Sequence, residues 1–163
     1  MPMIQPQSYG GVTMRILSPA FFFMIAVLTV QPVIAGELSA DNIEIEDPFV
    51  RAAPAGIRVS AMFMKIRNMN KGHQHLVKVT SDIAENIELH EQVQTGGMMR
   101  MRQVEEIMIK GGGVTVLEPG GLHIMLIGLR GAIEAGQRIE FKLVFSDDST
   151  KTITVPVKPV GAM

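Results

Sequence analysis

From Ile43 to Val157 the chain is written in short alternating runs, and nearly every run stops at a Gly, Pro, Asn or Asp turn. A period of two places successive side chains on opposite faces of a strand, whereas a helix would need a period near 3.6. Ile43–Glu46 alternates, and Asp47-Pro48 is expected to break it before Phe49–Ala52. Val59–Arg67 follows the Pro54–Gly56 turn, with Met62, Met64 and Ile66 on one face and Ala61 and Phe63 on the other. Leu76–Thr80, Asn86–Glu91, Met98–Val104, Val114–Leu117 and Leu122–Leu126 read as further strands, and Arg138–Ser146 with Thr150–Val157 as a terminal hairpin. Only Ile133–Gly136 hints at a helical turn. Many short strands at regular spacing predict an all-β sandwich or barrel of Greek-key type.

The N-terminus has another character. Arg15 supplies a positive charge, Ile16–Val30 is apolar, and Val33-Ile34-Ala35 fits the small-x-small rule for cleavage after Ala35. That apolar run is about 15 residues, short of the ~20 needed to cross a bilayer. An uncleaved anchor is the alternative. Met14-Arg15 is the more natural start, which leaves residues 1–13 upstream of the signal. We therefore expect an upstream and signal segment over 1–35 and one domain over 36–163.

With export expected, the chemistry of the side chains becomes selective. The chain has no Cys. Disulfides, zinc–thiolate sites, Fe–S clusters, a thiol nucleophile and a lipobox anchor are thereby excluded, as is a blue-copper electron-transfer site, which needs a Cys beside two His. A formal charge of −1 gives no electrostatic case for nucleic acid. No G-x-S-x-G, H-E-x-x-H or glycine-rich phosphate loop is present, so an enzyme is not expected.

Soft ligands remain. His90, Met101, His123 and Met125 stand in the frame H-x10-M-x21-H-x-M. Thioether sulfur with imidazole nitrogen suits Cu(I). On a strand His123 and Met125 share one face, with roughly 6.5–7 Å between their Cα atoms, while Ile124 and Leu126 point into the other layer. His90 shares a face with Glu88 and reads as surface-facing at a strand end, which would put all four ligands on one rim of the sandwich. Neutral ligands hold Cu(I) less tightly than thiolates, which favours a carrier over a permanent site. Both imidazoles must be neutral to ligate, so binding should weaken as pH falls through the imidazole range.

Other side chains have plainer explanations. Met62 and Met64 are expected as core fillers, and Met98 and Met99 as packing. His73 and His75 form an H-x-H in a turn-rich stretch, read as solvated loop rather than a second metal site. Glu88 and Glu91 are expected as surface charges, with Glu91 the candidate to orient His90 although alternation points it away.

The stretches Leu89-His90-Glu91, Gly97–Val104 and Leu117–Leu129 closely resemble the PCu(A)C family of periplasmic copper chaperones, and the likeness covers nearly all of residues 43–157. The resemblance implies a cupredoxin-like β-sandwich that binds one Cu(I) through His90, Met101, His123 and Met125. It also implies delivery to the Cu(A) centre of cytochrome c oxidase, in concert with a Sco-type thiol protein, by a monomer in the periplasm. A copper-buffering or resistance protein without an oxidase client is the alternative. A sandwich-fold adhesion or assembly module, its Met and His incidental, is a third. Two departures stand out. Many members carry Met directly after the first His, where this chain has Glu91. Some carry a His/Met-rich C-terminal extension that binds Cu(II), whereas Val157–Met163 holds no His, so a Cu(II)-holding role is not expected here.

Overall fold

The structure is a computed structural model that describes residues 40–161. The expected export signal and the residues upstream of it lie outside the described residues. A single 3-10 turn, Ala40–Asn42, leads into ten strands. These are β1 (Ile43–Arg51), β2 (Val59–Asn68), β3 (Gln74–Thr80), β4 (Ala84–Thr95), β5 (Met98–Gln103), β6 (Ile107–Ile109), β7 (Val114–Leu117), β8 (Leu122–Leu129), β9 (Arg138–Phe145) and β10 (Thr150–Lys158). Among the described residues no helix is long and apolar enough to cross a membrane.

Hydrogen bonds join the strands in the order β5-β4-β8-β7-β2-β1-β10-β9-β3-β6, and β8 also pairs with β2. The ribbon turns over at β1 and β10, a parallel pair in which Val50 and Arg51 lie opposite Val157 and Lys158. One buried cluster joins both halves. Met62, Ile66, Leu89, Ile124 and Leu126 of β2, β4 and β8 meet Leu76, Ile109, Phe141, Leu143, Phe145 and Val155 of β3, β6, β9 and β10. Two layers therefore enclose one core, with the chain crossing between them after β2, β3, β5, β6 and β8. This is the all-β Greek-key sandwich expected from the alternation.

Several local expectations are corrected. Asp47-Pro48 does not end a strand. β1 runs through it as a bulge, with the register slipping between Glu46 and Phe49 and Asp47 at φ 50°. Lys65 donates to the Asp47 carboxylate at 2.9 Å, and its ammonium holds that carboxyl below the usual range. β4 extends to Thr95 because it continues into a hairpin with β5 through Gly96 and Gly97, both at positive φ. β6 was not anticipated, since three residues are too few to show alternation; Ile107 and Ile109 are nonetheless fully buried. Ile133 forms no helical turn. It exchanges two backbone hydrogen bonds of 2.9 Å with Ala53.

Gly111 marks a close backbone approach. A Cβ there would stand 2.3 Å from the Lys71 carbonyl oxygen and 2.6 Å from that of Gly72. Both obstacles are backbone, held by Gly112 N–H donating to the Asn70 carbonyl (2.7 Å) and the Asn68 amide donating to that of Gly72 (2.9 Å). Gly111→Ala is expected to lose about 1–3 kcal/mol of stability. It should appear as a lower urea midpoint at unchanged m-value.

Candidate metal centre

The antiparallel pairing of β4 with β8 sets His90 directly opposite His123. Their neighbours Leu89 and Ile124, also paired, point into the core. Alternation therefore sends both imidazoles to the outer face of this layer. The rings lie 5.9 Å apart between centroids at 41°. Met125, two residues beyond His123, lies opposite Glu88. Met101 on β5 lies opposite Gln92, which shares the face of His90. The two thioethers thus flank the histidine pair on opposite diagonals.

This outer face is covered at His123 and open at Met101, and His90 is not at the strand-end rim expected from the sequence. His123 is 3% exposed and belongs to no part of the sandwich core. Phe63 packs on it with centroids 6.4 Å apart, Phe49 packs on Phe63 at 5.2 Å, and the Arg51 guanidinium lies 5.3 Å from the Phe63 ring centre. The Ser60 hydroxyl donates to the Arg51 carbonyl at 2.6 Å and ties that segment to β2. A cavity of about 410 Å³ opens beside this aromatic row, lined by Met101, His123, Met125, Gln92, Phe63 and Arg51 among others. His90 does not line the cavity and joins the group through its contact with the His123 ring. It sits in the middle of β4 with its side chain 14% exposed, not at an exposed strand end. Met101 stays 60% exposed.

The hydrogen bonds decide which nitrogens are free. His123 Nδ1 lies 2.9 Å from the Gly121 carbonyl oxygen. A carbonyl only accepts, so Nδ1 carries the proton and Nε2 a lone pair. His90 Nε2 lies 2.9 Å from Glu88 Oε2, which in the neutral ring assigns the proton to Nε2 and the lone pair to Nδ1. Both free atoms, His123 Nε2 and His90 Nδ1, are buried without a hydrogen-bond partner among the described residues. An unmet buried polar atom costs about 1–3 kcal/mol. Two of them on facing rings, each ring held from behind by an acceptor, is the arrangement of imidazoles prepared for a metal.

Among the described residues no three His, Asp or Glu side chains converge on one point. A metal held here must take sulfur as well as nitrogen, and the donor set fits a soft ion.

The other candidates separate. Glu88, expected as a surface charge, is the partner of His90. Glu91, the candidate for that role, accepts from Arg102 at 2.8 Å instead. The pairing was open to sequence reasoning, because Glu88 shares the face of His90. Phe63, Gln92 and Gly121 were missed, since their roles depend on which strands become neighbours. Met62 and Met64 fill the core as expected, whereas Met98 and Met99 do not pack and are more than half exposed. His73 Nδ1 accepts from the Gly111 N–H at 3.0 Å, and His75 Nδ1 lies 2.9 Å from Glu106. The two rings of the H-x-H pair thus stand against separate neighbours, and the His75 contact is a close approach rather than a hydrogen bond.

The LpqE-like family model ("Putative lipoprotein LpqE-like") matches residues 43–157. A protein of Leifsonia xyli subsp. xyli (strain CTCB07) that carries a lipoprotein description of the same kind is 39% identical over 120 residues, 73% of this chain and 71% of its own length. Among solved structures, the copper-bound PCuAC domain from PmoF2 superposes with a TM-score of 0.62 at 23% identity, covering 72% of this chain and 93% of that one. The Cu(I) form of DR1885 from Deinococcus radiodurans gives 0.58 at 26% identity, over 73% and 81%. The fold is thus the cupredoxin-like sandwich of PCuAC domains.

Proposed function

Because the chain belongs to the LpqE-like, PCuAC-type family, we propose that it is an exported metallochaperone carrying Cu(I) as its cargo, held by His90, Met101, His123 and Met125. The observation that carries this reading is the pair of buried, unpartnered nitrogens flanked by two thioethers on one sheet face. His123 binds through Nε2 and His90 through Nδ1, with the Met101 and Met125 sulfurs completing a loose tetrahedron. Cu(I) is a d10 ion with little geometric demand, so irregular angles are tolerated. All four ligands are neutral and leave the ion its full charge. A thiolate acceptor therefore draws the metal off, and the exposed Met101 is the ligand such an acceptor displaces first.

The chain is a carrier and performs no turnover. Its proposed client is the Cu(A) subunit of cytochrome c oxidase in the periplasm, with a Sco-type thiol protein as co-worker, and it acts as a monomer. Titration against a competing Cu(I) chelator tests the site: one Cu(I) per chain is expected, and chelator retention of all the copper would overturn it. Transfer is tested by mixing the loaded protein with apo Cu(A) domain. Copper that stays put while the protein still binds it tightly would make this a buffer.

Glu88 supplies a graded check. Glu88→Ala removes the acceptor that holds the His90 proton on Nε2. Cu(I) affinity should fall about 10–100-fold, as when an orienting partner is lost. Glu88→Gln, which keeps an accepting oxygen, should recover most of it in the same titration.

A further inference from the structure

Among the described residues strand β5 lies at the edge of the sheet, hydrogen-bonded to β4 alone, and all of its residues are exposed. Edges of this kind are usually guarded by charge or proline. Here the edge carries Met98, Met99 and Met101 at 58%, 56% and 60% exposure. None of the three serves as core packing, so their apolar surface calls for another reason. Register divides them. Met101 lies opposite Gln92 and Met99 opposite Gln94, which puts both on the face of His90 and His123. Met98 and Arg100 fall on the reverse face. Met99 and Met101 therefore form a row that runs from the Gly96-Gly97 turn to the cavity lined by Met101, His123 and Met125.

We propose that Met99 and Met101 form a second, outer Cu(I) site of two thioethers, and that Met101 belongs to both sites, so that copper enters and leaves along the face of β5. The inference rests on the Cu(I) reading of the inner site. Residues two apart on a strand are about 6.5–7 Å apart at Cα, and an unbranched thioether chain with three rotatable bonds spans half of that easily. Two neutral sulfurs satisfy a soft d10 ion, though more weakly than two sulfurs with two imidazoles. Passage inward exchanges the Met99 sulfur for the nitrogens of His90 and His123. The copper stays Cu(I), and with neutral imidazoles, whose free nitrogens present lone pairs, no proton or electron moves.

The test uses the protein with 13C-labelled methionine methyls and Cu(I) supplied in acetonitrile under a reductant. In the double variant His90→Ala/His123→Ala the inner nitrogens are gone. The Met99 and Met101 methyl signals should then shift together and saturate at one Cu(I) per chain, with Met98 unmoved, and Met99→Leu should abolish the shift at Met101. A stationary Met99 signal, or a Met98 signal that moves as far, overturns the proposal. Should the double variant fail to fold, the same signals are followed in the single variant His123→Ala, with the same two outcomes. In the wild-type background Met99→Leu, which keeps apolar volume, should leave the inner-site affinity unchanged and slow copper transfer to a chelator. Unslowed transfer overturns the entry role. If the unaltered chain holds no Cu(I) at His90 and His123, the carrier function falls by itself, and the double-variant signals still report on the outer pair.

Discussion

His123→Ala is expected to lower Cu(I) affinity by about 1,000-fold or more, equivalent to about 4 kcal/mol. His123 is the most buried of the four proposed ligands, the partner of His90 across the β4–β8 ladder, and lines the cavity together with both thioethers. Its loss removes a ligand outright, so the effect must exceed the 10–100-fold that follows from losing an orienting group such as Glu88. The copper-free protein should suffer less. Truncation gives up packing against Phe63, yet it also deletes a buried nitrogen that has no partner. Chelator competition reads the affinity. Thermal unfolding reads the coupling, because a ligand at 1,000 times its dissociation constant adds about 4 kcal/mol to the native state. Wild-type protein should gain about 10 °C or more on copper loading, and the variant nothing. An equal gain in both would show that His123 is not a ligand.

Phe141→Ala should do the reverse. Phe141 is fully buried on β9, in the layer that faces away from the candidate site. Phe→Ala in a packed core costs about 3–5 kcal/mol, the lost transfer energy together with the cavity left behind. Against a total of about 5–15 kcal/mol for a domain, that is a large fraction. The urea midpoint should fall steeply. Cu(I) affinity of the fraction that remains folded should not change, since β4, β5 and β8 lie in the other layer. A Phe141→Ala protein that folds normally yet binds copper poorly would contradict the separation of the two faces.

Alternation within a strand was legible from the chain alone, and with it most of the ten strands and the shared face of His123 and Met125. Adjacency between strands was not. That His90 faces His123 depends on β4 choosing β8 as a neighbour at one register, a contact between segments far apart in the chain that no local pattern encodes. The same gap hid Gly121 and Phe63, which matter only through what the fold lays beside them. It explains Met98 and Met99 too. Their apolar character suggested packing, but β5 became an edge with no strand beyond it among the described residues. The Asp47-Pro48 pair was misjudged for another reason. A turn dipeptide and a bulge use the same residue types, and only the register with β2 tells them apart.

β8 is built so that Ile124 and Leu126 enter the core while His123 and Met125 face the proposed copper site. Two physical demands therefore fall on one strand without interfering, each on every second residue. A mutation in one set is felt as instability and in the other as a loss of cargo. A descendant of this chain can abandon metal by changing two neighbouring odd-numbered positions and keep its scaffold whole, which makes the scaffold a durable inheritance and the metal a revocable one.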